Sequence, residues 1–204
     1  IAHQTGEEVV VPVTGETFSF TVATDDDLSG TANNDVFTGN SSKIAATDAA
    51  DGAAGNDTAN IVVSGDLAAV DMSNIENINF EMQSFGDTTL DLTNVDAGDG
   101  LVTISRPTSG FTNTVTITAG GDNNYQFGAG ITTATFSALE SGRVSTGSLT
   151  TLTTTAADSD IDLVVEGTTL SFTGDTGITD VELEFVGGGT FDVASLETMS
   201  GDVN

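Results

Sequence analysis

Beyond Ile61 the chain is built from short runs in which every second residue is large and apolar. "TVTIT", "ITTATF", "IDLVV", "TLSF" and "VELEF" set Val, Ile, Leu and Phe against Thr, Ser, Asn and Glu, and most are separated by Gly, Asn or Asp. Successive side chains of a strand point to opposite faces, so a period of two means strands with one buried side. Helical periodicity is hard to find, threonine is abundant, and Pro occurs only twice. These features predict an all-β chain.

A second pattern constrains how the strands are arranged. Val70-Asp71-Met72-Ser73-Asn74-Ile75, Leu90-Asp91-Leu92-Thr93-Asn94-Val95 and Phe191-Asp192-Val193-Ala194-Ser195-Leu196 all read apolar, Asp, apolar, small, small, apolar. The first two copies begin twenty residues apart, which is about one coil of a β-solenoid. A single coil cannot bury its apolar side alone, whereas stacked coils build a ladder of Val, Ile, Leu and Phe inside and leave Thr and Asp to water. The pattern therefore favours a parallel β-solenoid. An antiparallel β-sandwich has regular strands and turns too, and is the alternative.

Composition divides the chain into three. Residues 1–24 read as an N-terminal strand or hairpin, Val9 to Val22 around Thr14 and Gly15, acting as cap or connector; Pro12 marks an edge strand. Residues 25–63 shift to Asp, Asn, Ala, Gly and Ser, with a boundary near Val63. Residues 64–204 form the solenoid body. The chain opens at Ile1 rather than Met and shows no signal peptide, which reads as a processed product or fragment.

Charge excludes whole classes of partner. Thirty-one acidic residues face only Lys43, Arg106 and Arg143, for a formal net charge of −28 over 204 residues. Nucleic-acid binding runs on Lys and Arg, so that partner is excluded, as is a basic amphipathic helix for anionic membranes. No apolar run approaches a membrane span, so membrane insertion is not expected. Such a charge demands cations, or simply solvates the surface. With no cysteine there are no disulfides or thiolate metal sites.

The Asp/Gly-rich region contains two related turns, "GTANNDVFTGN" from Gly30 and "GAAGNDTANIV" from Gly52. With Asp35 or Asp57 placed sixth, each follows the calcium nonapeptide G-G-x-G-x-D-x-U-x in part: Gly first, Asn33 or Gly55 fourth, Phe37 or Ala59 eighth. Glycine permits a positive-φ turn, the carboxylate supplies the hard oxygen calcium prefers, and the apolar residue anchors the next strand. Neither copy has the glycine pair. Asp25, Asp26 and Asp27 before the first copy, and Asp48 and Asp51 before the second, are further oxygen donors. Asp35, Asp57, Asp25, Asp26, Asp27, Asn33 and Asp51 are thus candidate calcium ligands. The metal-free alternative makes Asn34-Asp35 and Asn56-Asp57 Asx turns at strand starts.

Together with "DGAAGNDTANIVVSGDLAAVDMSNIENINFEM", these turns resemble the repeats of calcium-dependent bacterial surface-layer and repeat-in-toxin surface proteins. The likeness is clearest over residues 28 to 95, where Ile75-Glu76-Asn77-Ile78-Asn79-Phe80 matches the family's last strand. It implies a right-handed β-solenoid, secretion without disulfides, and assembly into an extracellular lattice or fibre shaped by calcium. Asp35 and Asp57 would be metal ligands.

Catalysis has little to stand on. His3 is the only histidine, and a polysaccharide lyase would need Lys43, Arg106 or Arg143 beside an acid cluster. The chain is expected not to be an enzyme. "VGGGTF" is a turn and not a phosphate loop. Tyr125 and Phe127 are either an exposed aromatic platform for sugar or part of the core. Threonine runs such as "SLTTLTTTAA" are candidates for outward threonine ladders, which pair with neighbours or carry glycans. The expected function is that of an acidic extracellular structural protein whose subunits self-assemble into a cell-surface layer, sheath or filament with calcium. The alternative is an adhesin or phage virion module that binds a surface glycan.

Overall fold

A computed structural model describes residues 14–107, 113–118, 123–139, 141–155, 159–166, 169–174, 178–186 and 191–195. It contains eighteen strands and, among these residues, no helix. In chain order they are β1 (Thr17–Ser19), β2 (Asp27–Ser29), β3 (Val36–Asn40), β4 (Ala49–Asp51), β5 (Thr58–Val63), β6 (Asp71–Ser73), β7 (Asn77–Met82), β8 (Thr88–Asp91) and β9 (Leu101–Ser105). There follow β10 (Asn113–Thr118), β11 (Asn124–Phe127), β12 (Ile131–Phe136), β13 (Ser141–Ser145), β14 (Thr151–Thr154), β15 (Ser159–Glu166), β16 (Leu170–Thr173), β17 (Ile178–Val186) and β18 (Phe191–Ser195).

Every pairing is parallel and joins strands one coil apart. The odd-numbered strands form one nine-stranded sheet in chain order; β2, β4 and β6 form a second, and β8 to β18 a third. This is a parallel β-solenoid, and the antiparallel sandwich is ruled out by the pairing. The alternation read from sequence sets the sides. In the long sheet Phe37, Ala59, Ile78, Val102, Tyr125, Val144 and Leu163 stack in register and are buried. Phe80 and Ile104 rise in the neighbouring column.

The change of composition near Val63 falls at the end of β5, which pairs with β3 and β7 in one sheet. The turn at Thr14 and Gly15 leads into β1, which pairs parallel with β3; the rest of the expected hairpin, Val9 to Val13, lies outside the described residues. The twenty-residue recurrence is also out of phase with the coils. Leu90 stands on Leu67, and Met72 on Val95 rather than Leu92. The first copy therefore lies in the short sheet, while the second and third supply β8 and β18 of another.

The change of sheet has a local cause. Past β6 the short sheet survives only as the Met72–Val95 bridge. One coil further on, the buried Asn123 side chain takes over, accepting from Ala97 N at 2.8 Å and donating to Val95 O at 2.8 Å. One amide thus satisfies a donor and an acceptor that strand pairing would otherwise serve. Tyr125 and Phe127 are 1% exposed and pack edge-on to Phe136, so they belong to the core and form no surface platform. Burial pushes the Tyr125 hydroxyl far above its ordinary range, against a hydrogen bond with Asn123.

Candidate functional site

Each of the first four strands of the long sheet is preceded by an acid: Glu16, Asp35, Asp57 and Glu76. Parallel stacking puts them above one another, and each of the last three carboxylates accepts the backbone N–H of the acid one coil earlier. Glu16 N donates to Asp35 Oδ1 at 2.5 Å over 19 residues, and Asp35 N to Asp57 Oδ1 at 2.6 Å over 22. Asp57 N donates to Glu76 Oε2 at 2.7 Å over 19. The acids thus clamp successive coils where strand pairing begins.

A shorter ladder runs along β2 and β4. Asp26 N donates to Asp48 Oδ1 at 3.0 Å, and the buried Asp48 also accepts from Ala45 N at 2.8 Å. Asp26 accepts from Thr21 N at 2.6 Å and from the Thr21 hydroxyl at 3.0 Å. Val70, which precedes β6, ends the series.

The first glycine of each repeated turn acts by close approach, not by the positive φ expected of it. A Cβ on Gly30 would lie 2.5 Å from Gly52 O and 2.9 Å from Asp35 Oδ2. One on Gly52 would lie 2.0 Å from Asn74 O and 2.6 Å from Asp57 Oδ2. Glycine and aspartate five residues apart are steric complements, with the carboxylate seated on a backbone that has no side chain. In the second turn the positive φ falls at Ala53 (67°) and Gly55 (149°).

The two turns differ in how far they satisfy their carboxylate. Asp35 also accepts from Thr31 N at 2.5 Å and the Thr31 hydroxyl at 3.1 Å. Burial pushes its carboxyl upward, but the hydrogen bonds from Glu16 and Thr31 outweigh it and hold the group below its ordinary value. In the second turn Ala53 stands where Thr31 stood, and its N–H goes to Asp51 Oδ1 at 2.9 Å. Asp57 Oδ2 is left buried without a hydrogen-bond partner. Burial first, then the charges of Glu76, Asp35 and Asp51, raise the Asp57 carboxyl, opposed only by the Asp35 N–H.

These contacts test the residues as a calcium cage. Calcium takes six to eight oxygens. Asp35 spends both of its oxygens on N–H and O–H donors, which present positive hydrogen where a cation would sit. Asp51 Oδ1 accepts from Asn74 Nδ2 at 2.8 Å as well as Ala53 N, and these bonds, Asn74 foremost, hold its carboxyl below the ordinary value. Asn33 N bonds the Thr31 hydroxyl at 3.1 Å, and Asp25 and Asp27 are exposed. Among the described residues no three acidic or histidine side chains converge on a point that could hold a metal. Asp35 and Asp57 come together as a hydrogen-bonded ladder in which Asp57 Oδ2 alone lacks a donor.

Glu76 is the ladder side chain a linear motif does not single out, because its donor, Asp57 N, arrives from the neighbouring coil. Its signal is the acid directly before each of the first four strands of the long sheet. The chain matches no protein-family model, no curated protein and no solved structure, so its function is to be read from the ladder, the core and the faces of the coils.

Proposed function

We propose that the protein is a secreted structural subunit that assembles with copies of itself into a surface layer, sheath or fibre. The observation that carries this reading is a solenoid whose described end strands each pair on one side only. Among the described residues β1 meets only β3, β17 only β15, and β18 only β16. Phe185 of β17 continues the column of the buried Val165, yet is 49% exposed. A parallel strand ladder is a template that a strand of another copy can extend, and exposed apolar surface such as Phe185 favours such contact.

Cations enter this reading as counter-ions between acidic faces and not as ions held in the coil turns, since a net charge of −28 opposes close packing of copies. Light scattering during titration with calcium, then chelator, with magnesium in parallel, tests it. Mass should grow with either divalent ion. A monomer under every condition would refute the assembly role, and growth with calcium alone would bring back a specific site.

A glycan-binding role is the second reading, favoured by one feature. An open cleft of about 710 Å³ runs beside the ladder, with Asn56, Asn77, Asn124, Glu76, Asp99 and Arg143 among its lining. Chemical-shift changes on adding a neutral oligosaccharide, confined to these residues, would support it. Unchanged spectra would remove it.

A further inference from the structure

The threonine runs acquire their meaning from the register of the third sheet. Thr114, Thr133, Thr151 and Ser171 form one column across β10, β12, β14 and β16. Thr116, Thr135, Thr153 and Thr173 form a second, two residues along each strand, and Thr89 of β8 extends it. Val115, Ala134, Leu152 and Phe172 between the columns are all buried, so the threonines point outward, and all nine hydroxyl residues are partly exposed.

Three observations separate this face from the rest of the molecule. First, β10, β12, β14 and β16 contain no charged residue, in a chain with 31 acids. Charge enters this sheet at its two ends, with Asp91 of β8 beside Thr118 and Asp192 of β18 beside Ser171, whereas the nine-stranded sheet carries Glu81, Arg143, Asp162, Glu182 and Glu184 within its strands. Second, the hydroxyls of the two columns make no hydrogen bond with the described residues, whereas Ser137 and Thr155 beside them donate to Ile117 O at 3.3 Å and Phe136 O at 3.2 Å. Third, the spacing is regular in two directions: about 4.8 Å from strand to strand, and about 6.6 Å between the two columns.

We propose that this threonine array is a binding face for ordered water, and that the protein adsorbs to ice. A two-dimensional array of hydroxyl and methyl groups with these spacings is comparable to the repeats of the water lattice in ice. The β-branched side chain restricts χ1, so the array is ordered before it meets a surface and loses little rotamer freedom on binding. Charge complementarity points the same way. A charged face keeps its own hydration shell, while a neutral face fits a neutral lattice that offers hydrogen bonds. The columns contain no large apolar or aromatic side chain of the kind that anchors a protein interface.

The test is nanolitre osmometry for thermal hysteresis, with ice-recrystallisation inhibition, on the purified chain. Thr135→Tyr and Thr153→Lys alter the middle of the array, and Gln126→Tyr alters an exposed position of β11 as control. Circular dichroism and melting verify that each variant folds. The proposal expects hysteresis in the natural chain, a severalfold loss in both array variants, and no change in Gln126→Tyr. Absence of hysteresis and of recrystallisation inhibition in the natural chain would overturn it. So would full activity in folded array variants, or equal loss in the control. If light scattering shows a stable dimer that Thr153→Lys dissociates, the face is an interface between copies and the proposal also fails.

Discussion

At the scale of single residues, the second coil corner carries two faults that the first does not. Ala53 holds φ at 67°, where a Cβ is strained, and Asp57 Oδ2 has no donor. Ala53→Gly should stabilise the protein by about 0.5–1 kcal/mol in urea unfolding, because the strain goes while the N–H to Asp51 stays. Gly52→Ala should cost about 1–3 kcal/mol, since its methyl would overlap Asn74 O. The ladder acids predict opposite pH dependences. Asp35 is held below its ordinary value, so its contribution is present above the unfolded-state pKa near 3.8 and is lost as pH falls through the lower folded value. Asp57 is raised, so its ionised form opposes folding. That penalty appears as pH rises from 3.8 through the raised folded value. The stability of Asp57→Asn relative to the natural chain should therefore improve across this rise, and unfolding midpoints at a series of pH values read it. A constant difference would show that Asp57 titrates as it does in the unfolded chain.

At the scale of elements, alternation was enough to locate strands and their inward sides, because burial of one face is a local property of the sequence. Phe80, at the centre of β7 and fully buried, is the clearest case; Phe80→Ala should cost about 3–5 kcal/mol by equilibrium unfolding. What joins one element to another was harder to read. The apolar-Asp-apolar recurrence suggested a phase that the Leu67–Leu90 and Met72–Val95 bridges do not follow. Asn123, one polar residue among several in its turn, bridges the place where the short sheet runs out. Asn123→Ala leaves Ala97 N and Val95 O without that partner. A loss of about 2–5 kcal/mol is expected, with faster amide exchange at Ala97. The hydrogen-bond partners of the repeated-turn aspartates are hidden from the sequence for the same reason. Their donors come from a coil 19 or 22 residues away, which no linear motif displays.

At the scale of the whole molecule, the solenoid combines an apolar core and four uncharged strands of one sheet with a strong net negative charge. Self-repulsion should make stability rise with ionic strength, most steeply at low salt, where the screening length changes most. Melting temperatures in a sodium chloride series read this. A flat response would mean that the acids are compensated locally, as Asp35 is by its N–H donors. The solenoid class was legible because stacking is the arrangement in which many short one-sided strands bury a common core. The order of pairing has a further consequence. Each described strand pairs only with strands one coil away, so position along the chain and position along the axis coincide. A coil needs only its predecessor as a template. A chain delivered N-terminus first can therefore add each described coil to the one already formed as it emerges.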